Sequence, residues 1–448
     1  MNWFIIFSCL MFAAQSFPQA RLDKYIRQGL ADNIVLRQKT ISYQKATYAL
    51  KTATTYFFPT VTLKADYTSG EGGRAISIPI GDIMNPVYNT LNMLTQSNAF
   101  PQISNVEQDF FPYKFYDVKF RASMPLLNSD IYFNREINKN KEQISTLELS
   151  AYKRDLVKEI KSAYYNYLSA VNAVKIYESA MELASEGKRT NEKLLENGVG
   201  LPVYILRSES EIENVRSQIA EAKSNKENAK QYFNFLLNRS PEDEILTDTE
   251  EQSLDLPLTQ PPAQFVREEL YMLNAAVDIN RSLLSMKRFN WIPKINAFVD
   301  YGAQDQVWNM KKQSRYYLFG FMLEVPLFES FRNTFQTEES ELSLKFTELE
   351  LEKTAKQLEL SKSMSINKLE AARQNYNSTL KQEETAAAYH RLINKGYREG
   401  INSFIETVDA RTQLTQVRLL LNINKYKYLT ALAEFEREAA ALDLNQYK

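Results

Sequence analysis

Hydrophobic positions along this chain follow two periods that take turns. Leu156, Ile160, Ala163, Tyr167, Ala170, Val174, Tyr177 and Met181 are spaced four and three apart, the seam of a coiled coil. Leu414, Leu421, Tyr428 and Phe435 recur every seven residues, with Val417 and Ala431 on the companion row. Elsewhere the period drops to two. Val61, Leu63, Ala65 and Tyr67 alternate with Thr60, Thr62, Lys64 and Asp66; Val118, Phe120, Ala122 and Met124 alternate with Asp117, Lys119, Arg121 and Ser123. Ile295, Ala297, Val299 and Tyr301 oppose Lys294, Asn296 and Asp300, with Phe298 out of pattern. Period two predicts strands with one apolar and one polar face.

The longest helical run is organised around Lys395 to Arg411, K-G-Y-R-E-G-I-N-S-F-I-E-T-V-D-A-R. No proline occurs between Pro326 and the end of the chain, and the only glycines in that run are Gly396 and Gly400. Glycine closes helices at low conformational cost, so one helix ends here and Asn402 or Ser403 caps the next. The entering arm of about 65–70 residues would approach 100 Å, and about 40 residues leave. A compact globular domain has no use for an arm of that length.

The chain repeats itself. F-P-T-V-T-L-K-A-D-Y at 58–67 matches I-P-K-I-N-A-F-V-D-Y at 292–301 with an offset of 234. M-P-L-L-N-S at 124–129 matches V-P-L-F-E-S at 325–330 with an offset of 201, and Gly198 matches Gly400 at 202. The helical parts are therefore of equal length, and an excess of 33 residues lies between the two strands of the first half. Each half reads helix (around 22–55 and 264–290), strand, strand, very long helix, tip, helix. Residues 17–240 form the first repeat and 263–448 the second, joined by the acidic, proline-rich stretch 241–262.

Composition narrows the function. Lys plus Arg (54) balances Asp plus Glu (55), so nothing marks a nucleic-acid partner. Mean hydropathy of −0.42 is that of a water-exposed protein, and beyond the first residues no apolar run reaches the roughly 18–20 of a membrane helix. Residues 1–16, or up to 20, read as a secretory signal. Cys9 is the single cysteine; Phe7 before it argues against lipidation, and removal of the signal leaves no cysteine, hence no disulfide. The strands carry aromatic residues near their ends (Tyr56, Phe57, Phe110, Phe111, Tyr113, Trp291, Tyr316, Phe328). Alone they fit a soluble sheet or a membrane barrel with interfacial aromatic girdles. Four strands cannot close a barrel, and open edges are forbidden in lipid, so a barrel requires oligomerisation; a cyclic trimer supplies twelve strands.

This organisation resembles the TolC-type outer-membrane efflux family over essentially the whole mature chain. P-L-L-N-S at 125–129 and P-L-F-E-S at 326–330 look like the family's strand-to-helix junctions. Tyr397, Gly400, Glu406, Asp409 and Ala410 look like its second tip. The resemblance implies a homotrimer whose twelve-stranded barrel lies in the outer membrane, continuous with a periplasmic α-helical barrel. The tips would close the inner end and dock a periplasmic adaptor of an inner-membrane pump. In the first tip, Gly198, Val199, Gly200 and Leu201 resemble an adaptor-contact string, with the repeat register pairing Gly198, not Gly200, with Gly400. Two positions depart from the family: its latch arginine is replaced by Asn402 and the acidic partner by Tyr204. Tyr397 remains.

Under that resemblance Glu406 and Asp409, three apart on one helical face, form carboxylate rings at a constriction; otherwise they are solvated first-turn acids favoured by the helix dipole. His390, the only histidine, reads as solvated helix surface. Residues 68–112 read as an extracellular loop, without the strand-loop-helix frame of a phosphate site. No catalytic, metal or cofactor constellation is present. The expected function is a passive exit duct of a tripartite efflux or type I secretion system, with a soluble periplasmic coiled-coil scaffold as the alternative.

Overall fold

The computed structural model describes residues 20–110, 113–247, 267–308, 311–441 and 444–447; the signal segment and most of the inter-repeat stretch lie outside these. In order, the elements are α1 (Ala20–Asp32), α2 (Ile34–Thr55), β1 (Thr60–Ser69), β2 (Ala75–Ile78), α3 (Ile80–Thr95), β3 (Val106–Asp109) and β4 (Lys114–Leu127). Then come α4 (Ser129–Glu196), α5 (Pro202–Leu236), α6 (Glu268–Arg288), β5 (Lys294–Asp305), β6 (Arg315–Glu324), α7 (Arg332–Arg398) and α8 (Phe404–Glu438). The long helices α4 and α7 have 68 and 67 residues, and α5 and α8 have 35 each. The chain divides into a helical unit (1–47, 140–279, 344–448) and a strand-bearing unit (48–139, 280–343).

In the strand-bearing unit four strands pair antiparallel in the order β1-β4-β5-β6. The register places Leu63, Phe120, Tyr301 and Tyr317 in one row and Val61, Ala122, Val299 and Phe319 in the next, an apolar face bare of any other element. On the opposite face Thr62, Arg121 and Asp300 share a row, as do Lys64, Lys119 and Gly302. Arg121 grips Asp300 with two bonds of 2.7 and 2.6 Å. Phe298, which broke the alternation, lies on this polar face beneath the Arg121 guanidinium, 4.9 Å from ring centre to Cζ. Gly320 leaves room for that ring, since a Cβ there would come within 2.9 Å of Phe298.

The 33-residue excess is not a plain loop. It folds as a hairpin, β2 with β3, carrying the helix α3. Asn85 and Asn92 make this possible: each takes an amide from the returning segment and donates to its carbonyls, Asn85 with Ile103 and Asn92 with Phe100, at 2.7–3.0 Å. A strand does therefore precede a helix here, but Gly72 and Gly73 lie ahead of the strand rather than between it and the helix.

In the helical unit the largest core joins α1, α4, the end of α5 and α8. Leu22, Ile26, Leu156, Ile160, Phe233 and Leu237 are its most buried side chains. The upper seam residues of α4 are buried as their spacing requires, while Ala170, Tyr177 and Met181 are half-buried. The first helical piece, read as continuous from the sequence, breaks at Asn33. Its carboxamide oxygen caps α2 at Leu36 N (3.0 Å) and accepts from the Tyr152 hydroxyl, while its amide donates to Leu236 O.

A charged knot ties α4, α6 and α8 in the same unit. Arg437 donates to Asp155 at 2.6 Å and to Glu269 at 2.7 Å, Arg154 to Glu268 at 2.6 Å, and Lys161 to Glu436 at 2.6 Å. Arg267 adds bonds to Glu269 and Glu438. Burial alone would raise the Glu269 carboxyl, but the Arg267 and Arg437 hydrogen bonds bring it down to about 2.

Candidate functional site: two joined hairpin tips

The tips close by the same backbone device. Gly198 (φ +74°) and Gly400 (φ +75°) both sit in the left-handed region just past a long helix. The amides of Val199 and Gly200 bond Leu194 O (3.0 and 2.9 Å), and those of Ile401 and Asn402 bond Gly396 O (2.8 and 3.2 Å), which occupies the orphan carbonyls. The other glycines serve packing. A Cβ on Gly200 would strike the Leu195 amide at 2.5 Å, and one on Gly396 would strike the Asn402 carboxamide at 2.0 Å. Of the two candidate helix terminators, Gly400 ends α7, and Gly396 lets Asn402 fold over it.

Each tip exposes apolar side chains: Val199, Leu201, Val203 and Leu206 on the first, Ile401 and Ile405 on the second. Pro202 starts α5 at its first position, where no amide is needed. Ser403 starts α8 through a capping box, its hydroxyl accepting from Glu406 N while the Glu406 carboxylate accepts from Ser403 N at 2.6 Å. The Ser403 amide and the Asn402 carboxamide accordingly lower the Glu406 pKa. Glu406 remains exposed, and Asp409, three residues on, is exposed beside it.

The two hairpins are bound together beneath their tips. The Tyr397 hydroxyl donates to Asn191 Oδ1 at 2.6 Å, and Asn191, itself 2% exposed, donates to Ser208 Oγ at 3.0 Å. Phe404 is buried between Tyr204 (centroids 4.9 Å) and Tyr397 (6.1 Å). Burial, with Tyr204 adding to it, raises the Tyr397 pKa and keeps its proton available to Asn191. A turn lower, Arg411 donates to Leu183 O at 2.7 Å and to Glu211 at 3.0 Å, passing over Gly187, where a Cβ would meet the guanidinium at 2.4 Å. Arg398 reaches Glu186 at 2.6 Å.

Tyr397 and Tyr204 thus come together, through Phe404. Among the described residues Asn402 bonds none of the first hairpin; its amide donates to Glu406, 3.3 Å away in its own turn. Asn191, Ser208, Phe404 and Arg411 were not apparent from the sequence. Gly187 was a usable signal, because a lone glycine inside a helix costs about 1 kcal/mol against alanine and calls for a packing reason. His390 is a correction. It is 9% exposed, not solvated, and its Nε2 lies 2.9 Å from Asn394. Burial, then Arg411 and Arg418, hold its pKa below the usual value. Among the described residues no group of three or more His, Cys, Asp or Glu side chains is placed to hold a metal, and no helix is long and apolar enough to cross a membrane.

Residues 266–438 match the family model described as outer membrane efflux protein. No curated protein matches the chain in sequence. Solved structures share its fold. The outer-membrane channel OprN superposes with a TM-score of 0.78 at 16% identity, over 94% of this chain and 90% of that one. The Campylobacter jejuni CmeC outer membrane channel gives 0.77 at 15%, over 95% and 88%. The open state of the Neisseria gonorrhoeae MtrE outer membrane channel gives 0.70 at 18%, over 94% and 88%.

Proposed function

We infer that this chain belongs to the TolC-type outer-membrane efflux family and is the exit duct of an export system. Three copies would close one twelve-stranded barrel in the outer membrane, with the helices in the periplasm and the tips at the inner end. The observation that carries this reading is the four-stranded sheet: one face apolar and bare, and its edge strands β1 and β6 each paired on one side only. Such a sheet is satisfied in lipid only when further copies pair its edges.

The helices carry matching unpaired seams. Ile34, Ile41 and Tyr48 of α2 are exposed at seven-residue intervals, and so are Phe335, Leu342 and Leu349 of α7. A heptad row of exposed apolar side chains fits a helix of a neighbouring protomer. At the tips the exposed Val199, Leu201, Ile401 and Ile405 offer the adaptor an apolar contact, and Glu406 with Asp409 would repeat three times around the axis as a cation-selective constriction. Transport is passive, and energy comes from an inner-membrane partner.

The test is the membrane fraction. A carbonate-resistant outer-membrane species that migrates as a trimer until heated, and that conducts ions in planar bilayers, is the expected result. Release as a soluble monomer would favour the periplasmic scaffold instead.

A further inference from the structure

The inserted helix α3 shows two opposed faces. Asn85 and Asn92, seven residues apart, are pinned to the returning segment, with Tyr88 beside them against Phe100 (centroids 5.7 Å). Directly opposite, Ile80, Ile83, Val87, Thr90 and Leu94 are spaced three, four, three and four apart, the seam of a coiled coil. Ile80, Ile83, Val87 and Leu94 are 39, 64, 49 and 75% exposed, so the protomer itself covers little of that seam.

Three observations say what covers it. The spacing is that of a helix partner, and every seam side chain but Thr90 is aliphatic. The insertion from Ala75 to Val106 carries a single charge, Asp82, and no lysine or arginine, whereas helices that lie on anionic membrane surfaces carry basic residues on their polar face. The insertion also emerges from the β1–β4 hairpin at the end away from α2 and α4, continuing the pairing through Gly70 N to Tyr113 O at 3.2 Å. Three copies of such a hairpin in one ring hold three α3 helices at one end of the barrel, at the high effective concentration that lets a short helix associate.

We propose that the α3 helices of the three protomers pack seam to seam with one another across the outer mouth of the duct, which narrows it from the outside. This rests on the trimeric reading above.

The experiment is oxidative cross-linking of the full-length protein in the outer membrane. Val87→Cys and Leu94→Cys lie on the seam, and Asn89→Cys lies on the helix flank. In a three-fold bundle one chain is left over, so about two-thirds of the seam-variant chains should run as disulfide-linked pairs, while Asn89→Cys stays unlinked. Deletion of residues 71–105 should leave the heat-modifiable trimer intact and raise its single-channel conductance. Unlinked seam variants in an intact trimer, or equal linking of Asn89→Cys, would overturn the seam contact. An unchanged conductance after the deletion would overturn the narrowing. A wild-type protein that forms no trimer would instead overturn the duct reading on which this one stands.

Discussion

The Tyr397 hydroxyl donates to Asn191 Oδ1 at 2.6 Å, which makes one buried hydrogen bond the link between the last turns of α7 and α4. The two residues are 206 positions apart and lie one in each repeat. Because Asn191 is 2% exposed, water cannot replace the hydroxyl once it is removed.

Tyr397→Phe therefore isolates this bond. The ring and its contact with Phe404 stay, while Asn191 Oδ1 loses its donor. The expected cost is about 1–3 kcal/mol, that of a buried polar group left unsatisfied. It should appear as a lower melting temperature together with more frequent openings in planar bilayers. A melting temperature and an opening frequency both equal to wild type would show that the bond does not hold the hairpins together.

Glu406 and Asp409 differ in what they do locally, so their single variants should separate. Glu406→Ala removes the carboxylate half of the capping box at Ser403 and should lower the melting temperature slightly in addition to any change in selectivity. Asp409→Ala removes an exposed carboxylate with no cap to lose. It should lower cation selectivity and block by multivalent cations without shifting the melting temperature. If the double variant keeps wild-type selectivity, the carboxylates are merely solvated side chains of α8 and form no ring.

What the sequence made legible, and what it did not, follows from the range of the interactions. The strand faces were readable because alternation is a local pattern, and pairing then aligned Leu63, Phe120 and Tyr301 as that pattern required. The one exception, Phe298, needed a partner 177 residues earlier: Arg121 lies over its ring, a relation no local period reveals. The break at Asn33 was hidden for the same reason, since its carboxamide bonds Leu236, 203 positions away. At the tips the turns were readable from Gly198 and Gly400. The joint beneath them was not, because Asn191 and Ser208 look like ordinary polar residues of a solvated helix. The burial of His390 is not legible in the sequence because burial of a helix face depends on which other helices pack there. The helix α3 is hidden among Asn, Ser and Pro residues that resemble a loop, because what holds it is Asn85 and Asn92 binding the returning chain.

The sheet register allows a matched pair of substitutions. Leu63 stands on the apolar face opposite Phe120, and Thr62 on the polar face opposite Arg121. Leu63→Arg should cost roughly 2–4 kcal/mol if its site lies near the bilayer midplane, and the yield of assembled trimer should fall. Thr62→Glu places a carboxylate beside a guanidinium and should assemble normally. A second arginine at position 62 would instead face Arg121 with like charge. Equal trimer yields for Leu63→Arg and Thr62→Glu would mean that the apolar face does not meet lipid.

The charged knot gives the helical unit a pH dependence whose sign can be worked out. Half-buried Glu269 titrates at about 2 because Arg267 and Arg437 hold its charged form, against an ordinary value of 4.5. A carboxyl lowered on folding adds stability that is complete above its unfolded value and is lost as the pH falls from 4.5 toward 2. Arg437 is 5% exposed and serves both Asp155 and Glu269. Arg437→Met keeps the volume and removes the charge, leaving Asp155 and Glu269 without their shared partner while Arg267 still holds Glu269, so the variant should melt at a lower temperature at neutral pH. Protonating Glu269 removes the charge that Arg437 stabilises, so wild type and variant should draw closer as the pH is lowered toward 2. Melting temperatures measured from pH 7 down to pH 3 give the comparison. Parallel curves, with the same gap at every pH, would show that Arg437 contributes through packing of its alkyl chain and not through the carboxylates it holds.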